Sequence, residues 1–309
     1  MASPFKSGFV AIVGPPNAGK STLVNRLVAQ KVSIVTAHPQ TTRNRIQGIV
    51  NRPGAQVVLI DTPGLHRPDS ALGRQMAREI DAALDSVDVV ALMLDASEDF
   101  RRGAHLALRR VASLDAVRLI LLNKVDRVEK PKLLPLMDLC SRAGDFAAIV
   151  PISALRGEGV EEALAEITAH LPEGPALFPP DQVTDQPERF LAAEFIREKA
   201  MAATRNEVPH ALAVLVESFE EGANLIRIRA AIRVEREGQK GILIGKGGLT
   251  LKRIGTEARL ELERILGTKI YLELRVGVSR RWRDNPARVR QIDWRNQIEA
   301  IAEEQSNES

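Results

Sequence analysis

The sequence predicts an α/β domain, with a mostly parallel sheet covered by helices on both faces, followed by a smaller α+β domain. Between Phe9 and Leu171, apolar runs of strand length alternate with segments of helical period, the pattern of successive βα units. A proline-dense segment then breaks this alternation, as an interdomain boundary does, at Pro172, Pro175, Pro179, Pro180 and Pro187. Beyond it, two strand-like runs follow each other directly, which predicts a second domain of a different class.

Composition fits a two-domain globular protein of 309 residues, with 44% apolar and 27% charged residues. No apolar run is long enough for a transmembrane helix, and the N-terminus does not resemble a signal peptide. One cysteine, Cys140, excludes an internal disulfide and fits a reducing cytoplasm. The five scattered histidines show no metal-ligand spacing, which makes a zinc site an unfavoured interpretation.

Charge is unevenly distributed along the chain. The segment from Leu225 to Arg295 contains 18 Lys and Arg against 8 Asp and Glu, whereas the chain before Asp181 is close to neutral. Such a basic C-terminal part suggests a polyanionic partner, either nucleic acid or acidic lipid headgroups. The alternative is an ordinary solvated cationic face.

The first functional motif lies between the predicted strand Phe9–Val13 and the predicted helix Thr22–Gln30. Its pattern, GxxxxGKS, is that of a phosphate-binding P-loop, whose glycines let backbone N–H groups point at phosphate oxygens. Lys20 is expected to reach the β- and γ-phosphates, and the Ser21 hydroxyl to ligand Mg²⁺. The predicted phosphate-binding residues are Gly14, Pro15, Pro16, Asn17, Ala18, Gly19, Lys20, Ser21 and Thr22.

The segment that follows, Lys31–Arg45, has no sustained period and is predicted to be a loop. Two strands, Ile46–Val50 and Gln56–Ile60, come next, separated by the turn signal Asn51–Gly54. The second ends in Asp61, Thr62, Pro63 and Gly64. An Asp at the end of a strand beside a P-loop can hold Mg²⁺ directly or through water, and the glycine N–H can approach a γ-phosphate.

The next units are a helix Ala71–Leu84, a strand Val87–Leu94, a helix Gly103–Val111 and a strand Val117–Leu122. Asn123, Lys124, Val125 and Asp126 follow directly. A carboxylate here can accept two N–H groups from a guanine edge, which predicts GTP rather than ATP as the ligand. After a further strand, Ala147–Ile152, Ser153, Ala154 and Leu155 could offer a backbone N–H to guanine O6, before a helix Val160–Leu171.

These four motifs, in this order and spacing, resemble the G1, G3, G4 and G5 motifs of Ras-like GTPases of the translation-factor class. Pro39 to Arg43 in the loop between the first two resembles the switch I segment of Era-type GTPases. By that match Thr42 is the residue that ligands Mg²⁺ when a γ-phosphate is present, and Thr41 is the competing assignment. The resemblance implies a P-loop GTPase domain with GTP or GDP and Mg²⁺ as its ligands.

The hydrolysis site departs from the Ras pattern at one position. Leu65 follows Gly64 where a Ras-type enzyme has the glutamine that orients the attacking water, and His66 beside it is weak support for a base. The chain therefore resembles the hydrophobic-substituted GTPases, in which slow turnover is expected. In related enzymes an Asn at the position of Asn17 ligands K⁺ in place of an arginine finger; the alternative is that Asn17 only caps the loop.

The C-terminal part begins with a predicted helix, Glu188–Met201, and two strands, Ala211–Phe219 and Leu225–Arg236. The loop Gly245, Lys246, Gly247 and Gly248 precedes a helix Leu249–Leu266 and a strand Lys269–Val276. The order α-β-β-α-GXXG-α-β matches a type II KH domain, in which glycines let the backbone approach a sugar–phosphate chain. Lys252 and Arg253 lie one turn later, where they can flank RNA. Val278–Asn296 is either a basic helical extension on RNA or a surface helix packed by Trp282 and Ile292.

Together these features resemble the Era-type GTPases. The proline-dense segment and the composition predict domains at 1–172 and 188–296, a linker at 173–187, and an acidic frayed tail at 297–309. The resemblance implies a cytoplasmic protein that binds the 3′ end of 16S-type ribosomal RNA in small-subunit assembly, with possible peripheral membrane association, and a monomer is expected. The alternatives are a GTPase with another RNA target, or an RNA-binding scaffold with a structural nucleotide site.

Overall fold

The computed structural model describes residues 4–98 and 100–292. The chain divides into two compact units, Met1–Arg67 with Met76–Asp185, and Pro68–Gln75 with Gln186–Ser309. Among the described residues, no helix combines the length and apolar character needed to cross a membrane.

The first unit is built on a six-stranded sheet in the order β2-β3-β1-β4-β5-β6. The β2–β3 pair is antiparallel and forms the predicted hairpin, while all other neighbouring pairs are parallel. Parallel strands buried on both faces need continuous apolar sequences, which is why the sequence located them well. The strands are β1 Lys6–Val13, β2 Ile46–Arg52, β3 Ala55–Asp61, β4 Val89–Asp95, β5 Val117–Asn123 and β6 Ala148–Pro151.

Helices cover both faces of this sheet, as predicted. The helices are α1 Lys20–Val28, α2 Ala71–Leu84, α3 Phe100–Ala112, α4 Lys130–Ser141 and α5 Val160–Ala169. Leu23 of α1 and Ile167 of α5 belong to the core on one face, and Leu108 of α3 and Cys140 of α4 to the core on the other. Helix α4 was not predicted from the sequence, because Pro135 lies inside it and Leu134 is exposed, which blurs the helical pattern.

The proline-dense segment predicted to be a linker is bound to the first unit over most of its length. The buried Gln56 side chain donates to the Phe178 carbonyl at 2.8 Å and accepts from the Leu177 N–H at 2.7 Å. Farther along, the Ile49 N–H donates to the Val183 carbonyl at 2.9 Å. The division between the units therefore falls after Asp185, later than the predicted end of the first domain at 172.

The second unit contains a three-stranded sheet, β7-β8-β9, in which β8 is antiparallel to β7 and parallel to β9. Along β8, Ile228 and Ile232 are buried while Arg227 and Arg229 are exposed, so one face of this strand is apolar and the other is largely cationic. The predicted type II KH order is present. Its elements are α6 Glu188–Ala202, α7 Val208–Ala211, β7 Ala213–Glu221, β8 Leu225–Val234, α8 Glu237–Ile244, α9 Leu249–Leu266 and β9 Lys269–Val278.

The basic extension is less helical than predicted over the residues that the structure describes. A 3-10 turn, Trp282–Asp284, precedes a six-residue helix α10, Pro286–Gln291. Trp282 is buried and its Nε1–H donates to the Ala211 carbonyl at 2.8 Å, so it packs on the core of its own unit. The rest of the extension, with Trp294 and Arg295, and the acidic tail lie outside the described residues.

Candidate nucleotide site and nucleic-acid loop

A cavity of about 440 Å³ opens at the carboxyl ends of the parallel strands of the first unit. This is where open α/β sheets bind ligands. The cavity is lined by the P-loop, by the loop Lys31–Arg45 (the switch-like loop), by the turn after β3, and by the loops after β5 and β6. The predicted site residues in its lining are Pro16, Asn17, Gly19, Lys20, Ser21, Thr22, Thr42, Gly64, Asn123, Lys124, Asp126, Ala154 and Leu155. The other predicted residues, Gly14, Pro15, Ala18, Asp61, Thr62, Pro63, Leu65, Val125 and Ser153, are not part of this lining.

The P-loop backbone requires its glycines. Gly14 and Gly19 have φ of 152° and 102°, in the region where side chains are disfavoured. A Cβ at Gly14 would lie 2.2 Å from the Met93 carbonyl oxygen, and one at Gly19 would lie 2.3 Å from Asn123 Nδ2. Neither position can accept a side chain without movement of the loop.

Lys20 is buried beneath the loop. Its Nζ donates to the Gly14 carbonyl at 3.2 Å and to the Pro15 carbonyl at 2.9 Å. Burial lowers the pKa of Lys20 to about 8, and the nearby Asp61 carboxylate partly opposes this shift. A desolvated ammonium whose hydrogen bonds go to neutral carbonyls is suited to an anionic ligand such as a phosphate.

The three residues predicted to hold Mg²⁺ meet at one point. The Ser21 Oγ donates to Asp61 Oδ2 at 2.6 Å and lies 2.9 Å from Thr42 Oγ1. Asp61 Oδ1 is buried and has no hydrogen-bond partner among the described residues, and burial raises the pKa of this carboxyl. Hydroxyl and carboxylate oxygens are the ligands Mg²⁺ takes in proteins, so this set fits the ion.

The geometry distinguishes Thr42 from Thr41, the two candidates that the sequence left open for the Mg²⁺ ligand. Thr41 turns into its own loop, where its Oγ1 donates to the His38 carbonyl at 2.7 Å. Thr42 alone joins the Ser21 and Asp61 cluster. The start of this loop is held by Asn25 of α1, whose Oδ1 accepts from the Val32 N–H at 2.9 Å.

The turn after β3 packs directly on the P-loop. The Leu65 N–H donates to the Gly14 carbonyl at 2.9 Å, and a Cβ at Gly64 would lie 2.8 Å from the backbone of Pro16. The Leu65 side chain packs against the apolar core rather than presenting a polar group. His66 Nδ1 donates to the Gly64 carbonyl at 2.8 Å, so this ring nitrogen is occupied by the turn itself.

At the other end of the cavity, Asn123 joins two loops. Its Nδ2 donates to the Ala18 carbonyl at 2.7 Å, and its Oδ1 accepts from the Ala154 N–H at 2.9 Å. The side chain is buried, so both bonds replace water. Asn123 therefore connects the P-loop to the loop after β6 through both ends of its amide.

Asp126 is positioned by its neighbours. Its Oδ1 accepts from Ser153 Oγ at 2.6 Å, and its Oδ2 lies 3.7 Å from Arg156 Nε. The Ser153 bond above all, with the charge of Arg156, holds the pKa of Asp126 below its usual range. The carboxylate is thus ionised at neutral pH and can accept N–H groups from a base edge.

Two residues beside this cavity were not predicted from the sequence. Arg26 of α1 donates through Nε to the Ala154 carbonyl at 2.6 Å and through Nη2 to the Leu155 carbonyl. Asp95, at the end of β4, pairs with Lys124. The rule that selected Asp61, a carboxylate at the end of a buried strand, also describes Asp95. Nothing in the sequence distinguishes Arg26 from a solvent-facing helical arginine.

The GXXG segment of the second unit is an exposed loop with three residues at positive φ. Gly245, Gly247 and Gly248 have φ of 71°, 59° and 79°. A Cβ at Gly245 would lie 2.2 Å from Thr250 Oγ1, whereas positions 247 and 248 face open space. Lys246 and two cations on α9, Lys252 and Arg253, are exposed, and Arg253 has Glu257 at 4.0 Å.

This fold and these two sites define a P-loop GTPase domain followed by a KH domain. Family models agree: residues 9–124 match the 50S ribosome-binding GTPase family and residues 207–283 match the KH domain. The protein is 46% identical to "GTPase Era" of Geobacter sp. (strain M21), over 94% of this chain and 98% of that protein. The chain belongs to the Era family of GTPases.

Two solved structures are also similar to this protein. One is the crystal structure of Era in complex with MgGDPNP and nucleotides 1506–1542 of 16S ribosomal RNA, with a TM-score of 0.91 and 42% identity, covering 94% of this chain and 99% of that one. The other is a single-residue variant of Aquifex aeolicus Era bound to GDP·AlF4⁻, with a TM-score of 0.90, 43% identity and the same coverage.

Proposed function

We propose that this GTPase binds the 3′ end of 16S-type ribosomal RNA through its KH domain, and that its guanine nucleotide controls this step in small-subunit assembly. The observation that carries the proposal is the carboxylate of Asp126, which Ser153 orients and keeps ionised at one end of the P-loop cavity, in a chain that also has a GXXG loop. The RNA target comes from the related Era structure that contains this RNA.

Within the nucleotide site, Ser21 and Thr42 would ligand Mg²⁺, with Asp61 acting through water. The bound ion would neutralise charge on the β- and γ-phosphates. Lys20 would exchange its two loop carbonyls for phosphate oxygens and recover the charge stabilisation that burial removes. The Gly64 N–H would approach the γ-phosphate. The close contact of Gly64 with Pro16, which leaves no room for a Cβ, holds this turn against the P-loop.

The base would be read by two groups. Asp126 accepts the two N–H groups of the guanine edge, which adenine does not present in that arrangement. The guanine O6 contact is assigned to the backbone N–H of Leu155, because the N–H of Ala154 already donates to Asn123. This refines the sequence-based assignment, which left the donor in this tripeptide open.

Water orientation needs another source, because Leu65 offers no polar group. We propose that Asn17 ligands K⁺ beside the phosphates. Asn17 is exposed at the mouth of the P-loop with φ of 61°, and its Nδ2 lies 3.4 Å from the Ala37 carbonyl of the switch-like loop. Single-turnover hydrolysis should be slow in Na⁺ and faster in K⁺, and Asn17→Ala should remove the difference. Equal rates of the unmodified protein in the two salts would contradict this role.

The RNA contact would use the GXXG backbone with Lys246, Lys252 and Arg253. Gly247 faces open space, so Gly247→Asp adds a negative charge with little local clash, at the cost of strain at positive φ. Cross-linking and sequencing of the RNA bound in the presence of a non-hydrolysable GTP analogue should recover the 16S 3′ end, and Gly247→Asp should deplete it. Recovery of a different RNA would favour the alternative of another maturation target.

Coupling between the two ligands is testable by linkage. If the GTP state favours RNA binding, RNA must favour the GTP analogue over GDP by the same factor. Equal RNA affinity in the two nucleotide states would instead support a scaffold with a structural nucleotide site.

The remaining expectations are a monomeric state, a cytoplasmic location and a possible peripheral membrane association. Sedimentation of the purified protein tests the first. Fractionation of cells together with cosedimentation on anionic and neutral vesicles tests the other two, and membrane association predicts binding to anionic vesicles that falls as salt rises.

A further inference from the structure

The register of the sheet places Asp95 beside the loop after β5, which is proposed to bind guanine. Asp95 is the last residue of β4 and lies opposite Asn123, the last residue of β5. The next residue continues the contact, since the Ala96 N–H donates to the Asn123 carbonyl at 2.8 Å. The Asp95 carboxylate is therefore carried by the same rigid sheet edge that carries Asn123, Lys124 and Asp126.

The two oxygens of Asp95 have different partners. Its Oδ2 pairs with Lys124 Nζ, and the Asp95 side chain is only 6% exposed. Its Oδ1 accepts from the Ser97 N–H at 2.9 Å and from Ser97 Oγ at 2.6 Å. One oxygen thus closes the turn after β4, and the other is directed at the lysine.

Lys124 lines the cavity between Asn123 and Asp126, with its side chain 21% exposed. Its backbone has φ of 64°, which is unfavourable for a residue with a Cβ. A free lysine stem populates many rotamers, and ordering it costs conformational entropy on ligand binding. The ion pair with Asp95 orders the stem before the ligand arrives.

We propose that Asp95 is a positioning residue that holds the aliphatic stem of Lys124 as a wall of the base pocket and thereby slows dissociation of guanine nucleotides. Preorganisation of this wall lowers the entropic cost of binding and is lost when the charge at Asp95 is removed. The proposal rests on the nucleotide occupying this cavity with its base between Lys124 and Asp126.

The test is the dissociation rate of a fluorescent GDP from the full-length protein with Mg²⁺. Asp95→Asn keeps the shape and an acceptor for Ser97 but removes the charge that pairs with Lys124. We expect dissociation to be about five- to tenfold faster, somewhat more than loss of an exposed ion pair gives, because the Asp95 side chain is only 6% exposed. Lys124→Met keeps the stem without the charge and should accelerate dissociation by a similar factor.

The double variant separates a positioning role from a general structural one. If Asp95 acts through Lys124, Asp95→Asn should change the rate less than about twofold in the Lys124→Met background. Ser97→Ala, which removes a bond to the other carboxylate oxygen, is the matched control and should leave the rate unchanged. The thermal midpoints of all variants report whether they are folded.

Three outcomes would overturn the proposal: no acceleration by Asp95→Asn, a full acceleration in both backgrounds, or an equal effect of Ser97→Ala. Failure of the proposed function would look different, because the unmodified protein itself would then not bind the fluorescent GDP in competition with unlabelled GDP.

Discussion

The nucleotide cavity and the GXXG loop are built in opposite ways. The cavity is made of side chains that hold one another: Asn123 bridges two loops, Ser153 orients Asp126, and Ser21 bonds Asp61. The GXXG loop offers exposed backbone at positive φ, with cations such as Lys246 around it. The first arrangement suits a small ligand of one chemistry, and the second suits a long, uniformly charged chain.

The difference predicts how the two sites respond to substitution. In a network of buried polar groups, loss of one partner leaves another unsatisfied, so single changes should be large and coupled. At an exposed cationic loop, each charge contributes a small and nearly independent part of the phosphate attraction.

The largest effect is expected for Asp126→Asn. If Asp126 accepts the two N–H groups of guanine as proposed, the change removes two charge-assisted hydrogen bonds, and GDP affinity should fall about a hundredfold. Xanthine presents an oxygen where guanine has its amino group, so the Asn amide should bind xanthosine diphosphate better than the unmodified protein does. Isothermal titration with both nucleotides measures this. Asp138→Asn is the control, because Asp138 lies on α4 and pairs with Arg142 at the surface.

A substitution at Gly64 should weaken binding of the γ-phosphate. A Cβ there would lie 2.8 Å from the Pro16 backbone, so Gly64→Ala must displace the turn. Affinity for a non-hydrolysable GTP analogue should fall about tenfold, with a smaller loss for GDP, which lacks that phosphate. Gly54→Ala is the control: its φ of 79° disfavours a side chain, but a Cβ there meets nothing within 4 Å, so it should cost stability without changing either affinity. Equal losses for both nucleotides would argue against the γ-phosphate contact.

Ser153→Ala should weaken GDP binding about fivefold at neutral pH, since one hydrogen bond that orients Asp126 is lost. It should also change the pH dependence. A carboxyl with a depressed pKa stays ionised as the pH falls, so binding by the unmodified protein should persist to a pH below the usual range for Asp. Without Ser153 the pKa rises and binding should fail at a higher pH. Affinity measured from neutral pH down to about pH 3 distinguishes this from a simple loss of packing.

The smallest effect is expected for Lys246→Ala in the GXXG loop. RNA affinity should fall about threefold, and the slope of log affinity against log salt should decrease by about one, the signature of one lost phosphate contact. Lys132→Ala, an exposed lysine of α4, is the control and should change neither quantity. A loss of about tenfold or more would mean that the loop is as tightly coupled as the nucleotide site.

Short motifs were predictable from the sequence because their chemistry is local. The glycines of the P-loop and of the GXXG loop are required by the local backbone conformation. Asp61 and Asp126 each supply carboxylate oxygens at or just after the end of a strand. Buried parallel strands were predictable because both faces are apolar. Helix α4 was not, since Pro135 and exposed leucines hide its period.

The amino-acid sequence by itself determined the order of the strands, the class of nucleotide and the two loops that carry function. Only the tertiary structure decided that Thr42 rather than Thr41 joins Ser21 and Asp61, and that residues 173–185 are bound along the first unit. It also decided that Arg26 bonds the loop after β6 and that Asp95 pairs with Lys124 in the loop after β5. These contacts join residues far apart in the chain. They depend on strand register and helix packing, which no local pattern encodes.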